Sequence, residues 1–558
     1  MTDSSGRLSH FWQELKRRRV VRVVIFYASA SFVILELIAL FSEPFGLPDR
    51  TFKIVFVVLL IGFILAIILS WIFDVTRKGI IKTKPLNLAD IISKYEGSIA
   101  VLPFQDMSPE KDQEYFCDGM AEEIINALTR IESLKVIART SAFAFKNENK
   151  DMREIGKTLG VETLLEGSIR KDGNQLRITA QLILVEDGSH LWSEAYNRDL
   201  NDMFAIQEEI SMTIVHKLKI KILGDEKKAL RKRYTEDVEA FNLYLKGLYY
   251  WQQMTPEGNQ KAVEYYEKSI LKDPKFALAY AVLGSNLIFA SQNGFIPPMW
   301  AIPKSKEYTQ KALEIDDTIS VVHSNLAIIS MFLEWNWEAG EKALKKALSL
   351  NPSSGWDHYF YSGFLLTTYR FEEAIAEAKQ ALELDPFNVY LNTMMGRTYL
   401  IAGQCENALE KLEWAANMYP SVFLVHQNLG EVYQVKSMMV EAKEAYEKAV
   451  QFSGGVPSAV SRLACALYKT GEKEEAEKKM KNLEQRMENE YVPPTCFIPY
   501  YVLKGDHDET FSCLEKACNE RDFNLPSYLQ HPIEEYRVPD EPRFKALLKQ
   551  VGLEKYQH

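Results

Sequence analysis

The chain has 558 residues, of which 47% are hydrophobic and 25% charged, and its formal net charge is −10 at pH 7. That length suits about three to four domains. The negative charge argues against general nucleic-acid binding, because nucleic-acid-binding proteins present basic surfaces, so we expect no nucleic-acid partner. The six cysteines form no CxxC pair, and we therefore expect neither a zinc site nor a disulfide framework.

The first feature along the chain is a pair of apolar runs, residues 20–41 and 52–73. Each is long enough to cross a bilayer as a helix. Between them lies SEPFGLPDRT, whose prolines and glycine favour a turn. A basic tail (residues 1–19) and a basic linker (residues 74–96) flank the pair. Because cationic flanks stay on the cytoplasmic side, the pattern predicts a two-helix transmembrane hairpin with both termini and the soluble domains in the cytoplasm.

A carboxylate, Glu36, lies within the first apolar run, and Ser29 and Phe32 share its helical stripe. A charge at that depth is costly. Either Glu36 is neutral or leans toward the outer headgroups, or it meets a polar group on another chain. We hypothesise that the hairpin self-associates, giving a homo-oligomer, or docks a partner span through Ser29, Phe32 and Glu36.

Residues 97–225 then alternate between strand-like and helical patterns. SIAVLPF is a short β-rich run, and residues 114–131 carry Met120, Ile124 and Leu128 at helical spacing. Two further runs flank KDGN, an Asp-Gly hairpin signal. The pattern predicts a mixed α/β domain. The adjacent Glu122 and Glu123 point about 100° apart on a helix and are expected on its solvated face.

The strings SIAVLPFQDMSPEKDQEYFCDGMAEEIINAL and ETLLEGSIRKDGNQLRITAQLILVEDGSHLWSEAYNRDL resemble the TolB amino-terminal-like domain. In many bacterial proteins this domain lies between an output module and tetratricopeptide repeats (TPRs). Residues 11–80 resemble the membrane hairpin of such proteins. The resemblance implies a protein of the bacterial inner membrane, although no winged helix or cyclase domain is recognisable here.

Residues 237–490 repeat themselves. Pro352, Pro386 and Pro420 are 34 residues apart, and small residues such as Gly396 and Ala408 recur at fixed offsets. The pattern resembles the TPR, in which each unit is a helix pair that must stack on its neighbours to bury its apolar face. Residues 491–558 are expected to form a degenerate helix pair that caps the array.

The predicted fold is therefore multidomain: a two-helix transmembrane hairpin, a central mixed α/β domain and a C-terminal all-α TPR solenoid. The groove of the array is expected to bind protein partners. Its candidate lining residues are Asn325, Tyr361, Asn392, Arg397, Gln427 and Asn428.

No metal spacing, phosphate loop or nucleophile motif supports an enzyme, and no cofactor is expected. The interpretation is a non-enzymatic, membrane-anchored scaffold whose α/β domain is a spacer or a regulatory module. The alternative is a signalling component whose α/β domain senses a small ligand or partner.

Overall fold

The computed structural model describes residues 97–556, apart from 147, 149, 200–201, 221, 223, 231, 254 and 530–536. Before residue 97 it describes only a few single positions and two short strands. The chain divides into two compact units, residues 1–94 and 95–558.

In the first unit, strand β1 (Phe73–Thr76) pairs antiparallel with β2 (Gly79–Lys82). Phe73, which was expected to end the second membrane span, is thus in extended backbone. Within the described part of the chain, no helix is both long enough and apolar enough to cross a bilayer. The predicted transmembrane hairpin, and the inner-membrane location that rested on it, are corrected accordingly. Apolar composition measures the cost of exposure to water and does not by itself establish a continuous helix.

Most of both apolar runs, including Ser29, Phe32 and Glu36, lies outside the described residues. The proposed self-association through this stripe therefore has no structural counterpart here.

The second unit begins with a six-stranded mixed sheet in the order β5-β3-β6-β7-β8, with β4 also paired to β6. Strand β3 runs parallel to β5 and to β6, and β4 runs parallel to β6. Strand β7 is antiparallel to both of its neighbours, β6 and β8. The β6–β7 hairpin predicted from KDGN is confirmed, and Gly173 in its turn has φ 59°. The bounds are β3 Gly97–Val101, β4 Gln105–Asp106, β5 Leu134–Val136, β6 Thr163–Asp172, β7 Gln175–Leu184 and β8 His190–Asp199.

Helices cover both faces of this sheet. Helices α1 (Glu114–Leu128) and α4 (Met203–Lys217) pack on one face, and α2 (Arg139–Phe143) and α3 (Met152–Leu159) pack on the other. Because side chains alternate along a strand, β6 sends Leu165 to the first face and Leu164 to the second. A short helix, α5 (Gly224–Leu230), follows α4.

Seven helix pairs come next, and the tetratricopeptide part of the sequence interpretation is confirmed. Small residues permit the close pairing: a Cβ on Gly396 would lie 2.4 Å from Leu412 Cγ, and one on Gly430 would lie 2.6 Å from a ring carbon of Tyr446. The pairs are α6 Val238–Trp251 with α7 Pro256–Lys272, α8 Ala277–Gln292 with α9 Pro298–Ile315, α10 Ser320–Phe332 with α11 Trp337–Leu350, α12 Gly355–Thr367 with α13 Phe371–Leu384, α14 Val389–Ile401 with α15 Cys405–Met418, α16 Phe423–Val435 with α17 Met439–Ser453, and α18 Pro457–Lys469 with α19 Lys473–Arg486.

The α/β domain and the array share one core. Helix α1 packs so closely on α6 that a Cβ on Gly119 would lie 2.6 Å from a methyl group of Leu245. The same apolar cluster continues from the sheet through α1 into the first three helix pairs. The α/β domain is therefore built onto the array and is not a separate body joined by a spacer.

The α/β domain also follows one rim of the array, formed by the turns between successive pairs. The Ser141 hydroxyl donates to the Asp385 carboxylate at 2.5 Å and accepts from the Phe387 N–H at 2.8 Å. The Ser353 hydroxyl donates to the carbonyl of Leu134 in β5 at 3.4 Å. These turns lie in the middle of the array, so the α/β domain is attached at the beginning of the array and again along its rim.

The final segment, residues 491–556, is called the C-terminal strap. It contains α20 (Ile498–Lys504), α21 (His507–Glu520), α22 (Leu525–Leu529) and α23 (Pro542–Gln550). A short 3₁₀ turn, Pro494–Cys496, precedes these helices.

Candidate partner-binding groove

The C-terminal strap starts against the last helix pair and returns across the inner surface of the array. At its start, the Ser461 hydroxyl on α18 donates to the carbonyl of Cys496. At its end, Trp337 Nε1 on α11 donates to the carbonyl of Val551 at 2.7 Å. The strap therefore connects the seventh pair with the third pair.

Apolar packing holds the strap in place. Its buried side chains, among them Phe511, Leu525 and Leu548, share one cluster with residues of α10 to α13. The rings of Phe332 and Phe523 lie 4.8 Å apart, centroid to centroid. Much of the groove that the repeats alone would leave open is thus filled by the chain itself.

A cavity of about 690 Å³ remains between the strap and the inner helices. This volume suits a short extended peptide or a few side chains. First helices of the pairs, α12, α14 and α16, form one wall, and the strap forms the opposite wall. Representative lining residues are Tyr359, Tyr390, Met394, Arg397, Leu424, Gln427, Glu431, Ser458, Arg486, Glu490, Tyr491, Asn524 and Ser527.

Aromatic side chains form part of the cavity wall. The rings of Tyr359 and Tyr390 lie edge to face with centroids 5.4 Å apart, and their hydroxyls are 3.1 Å apart. Trp356 packs against Tyr390 at the same centroid distance. Burial raises the pKa of both phenols, and the nearby Arg397 guanidinium acts in the opposite direction. The phenols are consequently neutral hydrogen-bonding groups at physiological pH.

Arg397 is distinctive among the four charged residues that line the cavity. Glu431 pairs with Arg462 at 2.8 Å, and Arg486 pairs with Glu490. Among the described residues, Arg397 has no carboxylate partner, and its Nη2 donates only to the Ser527 hydroxyl at 3.4 Å. Within the described chain, the cavity thus presents one guanidinium without a carboxylate partner, and a guanidinium binds carboxylates through paired N–H donors.

The candidate residues chosen from the sequence divide into two groups. Gln427 and Arg397 line the cavity, and Gln427 accepts a hydrogen bond from the Ser458 hydroxyl at 3.1 Å. Tyr361 is buried and donates to Glu341 at 3.1 Å. Of these three side chains, only those of Gln427 and Arg397 therefore face space that a partner could occupy.

The three asparagines are buried and bond within the chain. Each donates from Nδ2 to a backbone carbonyl at 2.8 Å, from Asn325 to Ala281, from Asn392 to Pro386 and from Asn428 to Leu424. A polar residue at an inner-helix position can satisfy the chain's own backbone as readily as a partner, and sequence spacing does not distinguish the two cases.

A second cluster, which the sequence interpretation missed, lies between α1 and α6. Glu122 accepts from Gln252 Nε2 at 3.0 Å and lies 3.3 Å from Arg139 Nε. Glu123 is only 5% exposed and accepts from Asn126 Nδ2 at 3.3 Å. Burial, reinforced by the neighbouring Glu122 charge, raises the pKa of Glu123 to about 7.

The prediction that Glu122 and Glu123 lie on a solvated face was wrong, because the sheet covers one side of α1 and the array covers the other. The run EYFCDGMAEEIINAL is apolar or small around most of the helix, which is the sequence signal of a helix buried on several sides.

Residues 94–213 match a family model described as "HilA/YgeH-like transcriptional regulator, second domain". The resemblance to the TolB amino-terminal-like domain remains a prediction from the sequence. A Rhizobium meliloti (strain 1021) protein named "Putative adenylate cyclase 3" is 37% identical over 234 residues, covering 41% of this chain and 40% of the relative. Transcriptional regulator HilA of Salmonella typhimurium (strain LT2) is 24% identical over 293 residues, covering 52% of this chain and 51% of the relative. The chain thus spans about half or less of these relatives.

Two solved structures are similar in fold to part of the chain. PilF of Pseudomonas aeruginosa has 20% sequence identity and a TM-score of 0.30, and the match covers 38% of this chain and 92% of that chain. YrrB, described as a TPR protein with an unusual peptide-binding site, has 18% identity and a TM-score of 0.25, with 34% and 93% covered.

Proposed function

We propose that this protein is an interaction scaffold whose inner surface holds an extended segment of a partner protein, and that it acts by binding and not by catalysis. The observation that carries the proposal is the cavity between the strap and the inner helices. It combines aromatic side chains, neutral hydrogen-bonding groups and the guanidinium of Arg397, which forms no ion pair with any residue that the structure describes.

The chemistry of the cavity suggests what the partner segment contains. An acidic side chain would satisfy Arg397, and apolar or aromatic side chains would pack on Tyr359 and Tyr390. Such a segment would enter with its backbone extended, since about 690 Å³ does not accommodate a helix with its side chains.

Site-specific photocrosslinking in cells that make the protein would test this function. A photoreactive amino acid in place of Gln427 should capture a discrete partner, since this side chain lines the cavity. The same amino acid in place of Lys448, exposed on α17, is the matched control. Adding Arg397→Gln to the chain that carries the photoreactive amino acid at position 427 should weaken capture. Equal capture from position 427 and from the control position 448 would contradict the proposal.

A regulatory role is the second candidate, and the family match over residues 94–213 favours it. In such a regulatory role, the α/β domain would convey a signal to the array through the rim contacts around Asp385. A thermal-shift screen of the full chain against nucleotides and metabolites is the direct measurement, because a specific ligand stabilises the folded state that binds it. Saturable cyclic AMP formation by the purified chain would overturn the non-catalytic proposal.

A further inference from the structure

The two edges of the six-stranded sheet differ. Strand β5 forms one edge, has three residues and is covered by the array, where the Ala138 N–H just after β5 donates to the carbonyl of Leu384 at 2.8 Å. Strand β8 forms the other edge and has ten residues. Within the described residues, β8 pairs with β7 alone, and eight of its ten side chains are exposed. A long bare edge exposes a row of unpaired backbone groups that can pair with another strand.

The hydrogen bonding of β7 indicates which backbone groups are free. The Leu184 N–H donates to the carbonyl of Ser189, and its C=O accepts from the Gly188 N–H, both in the turn that leads into β8, whereas the Val185 N–H donates to Glu162 on the β6 side. The register shifts between Leu182 and Ile183 because β8 has an extra residue, Leu191, opposite them. Since β7 has no such insertion, every second residue before Leu184 bonds toward β8. The register pairs these residues with Trp192, Glu194, Tyr196 and Arg198 of β8. The N–H and C=O groups of Ser193, Ala195, Asn197 and Asp199 consequently point out of the sheet.

Two charges on this edge also have no ionic partner in the part of the chain that the structure describes. Glu194 accepts from Trp192 Nε1 at 3.1 Å, and, among the residues that the structure describes, Arg198 donates only to the carbonyl of its neighbour Asn197 at 3.1 Å. Neither forms an ion pair within the described residues. They are four positions apart on the same strand, which is about 13 Å and too far to bond to each other.

We propose that two copies of this protein pair β8 with β8 in antiparallel orientation, about a two-fold axis at Tyr196. This register places Ala195 opposite Asn197 of the second copy and Ser193 opposite Asp199, so the free N–H and C=O groups meet in hydrogen-bonded pairs. It also places Glu194 opposite Arg198 at the closer, non-hydrogen-bonded positions, twice because of the symmetry.

Neighbouring registers fit less well. Moving the axis to Ala195 sets Glu194 opposite Tyr196 and Arg198 opposite Trp192, and moving it to Asn197 sets Arg198 opposite Tyr196. Both leave the charges unpaired. Charge complementarity therefore selects one register and makes a second copy of this chain the favoured occupant of the edge.

Sedimentation of the full chain over a range of concentrations would test the proposal. Wild-type chains should show a monomer–dimer equilibrium. Glu194→Arg and Arg198→Glu should each weaken self-association about tenfold or more, because like charges then lie opposite each other at both symmetric sites. Lys157→Glu, at an exposed position of α3, changes the charge by the same amount as Arg198→Glu and should leave the equilibrium unchanged.

Exchanging the charges of Glu194 and Arg198 in one chain distinguishes this register most clearly. The double variant Glu194→Arg/Arg198→Glu should dimerise like the wild type. A mixture of the two single-substitution chains should form heterodimers, although neither associates well alone. A wild-type chain that is monomeric at every concentration would overturn the proposal, as would a dimer that none of these variants alters. Circular dichroism of each variant establishes that it is folded.

Discussion

Glu123→Gln should stabilise the protein at high pH and have little effect at low pH. The carboxyl group lies buried between α1 and α6, close to the Glu122 charge, and its pKa rises from 4.5 to about 7. The folded state therefore binds a proton that the unfolded state has already released between these two pH values. By linkage, the free energy of unfolding falls as pH rises from about 4.5 to 7 and stays lower above that range.

The size of the change in unfolding free energy follows from the shift in the pKa of Glu123. A difference of about 2.5 pKa units, at about 1.36 kcal/mol per unit, sets an upper limit of about 3 kcal/mol at pH 8. Glutamine resembles the protonated carboxyl in shape and keeps the oxygen that accepts from Asn126. The substitution should therefore recover most of this energy at pH 8 and almost none at pH 4.5, where the carboxyl is protonated in the folded state.

Thermal unfolding at several pH values would measure the effect. One kcal/mol shifts the melting temperature of a cooperative unit of this size by about 1 °C, so we expect Glu123→Gln to melt about 2–3 °C higher at pH 8. Glu267→Gln, on the exposed surface of α7, is the matched control. A Glu123→Gln variant that is destabilised equally at all pH values would refute the reasoning, because a charged, well-solvated carboxylate would then be the native form.

Three further substitutions test the packing. Ala408→Leu at a fully buried site should overpack α14 against α15 and lower the unfolding free energy by about 1–3 kcal/mol in urea titrations. Trp337→Phe leaves the carbonyl of Val551 without its donor, so limited proteolysis should cleave the strap faster than in the wild type. Arg462→Met strands the buried Glu431 carboxylate at a cost of about 3–5 kcal/mol by the same titration, and adding Glu431→Leu should restore most of it.

The features that the sequence predicted well are those with local signals. The 34-residue period and the spacing of Gly396 and Ala408 depend on contacts within one helix pair, and the Asp-Gly hairpin depends on two residues. The strap could not be predicted in this way, because its bond from Trp337 to Val551 joins residues 214 positions apart. No short pattern near either residue specifies the other.

The residues of the candidate site also divide into what local sequence patterns predict and what they do not. Spacing placed Arg397 and Gln427 on inner helices, and both line the cavity. It could not distinguish them from Asn392, whose amide bonds to the chain's own backbone. That difference depends on the geometry of the turn just before α14, where the carbonyl of Pro386 accepts from the Asn392 amide, and a repeat pattern does not encode this geometry. The apolar runs before residue 74 show the opposite limit, because a strong compositional signal predicts a membrane helix through Phe73, whereas Phe73 begins a strand.

The strap has a consequence for the order in which the protein can fold during synthesis. A solenoid normally gains structure repeat by repeat as it leaves the ribosome, since each unit needs only its neighbour. Here the third and fourth pairs bury Trp337, Tyr361 and Phe364 beneath residues that are translated about 200 positions later. At about 5–20 residues per second, these apolar surfaces stay uncovered for some 10–40 s. The nascent array is thus most prone to aggregation before its last segment emerges, and premature termination would leave that surface permanently open.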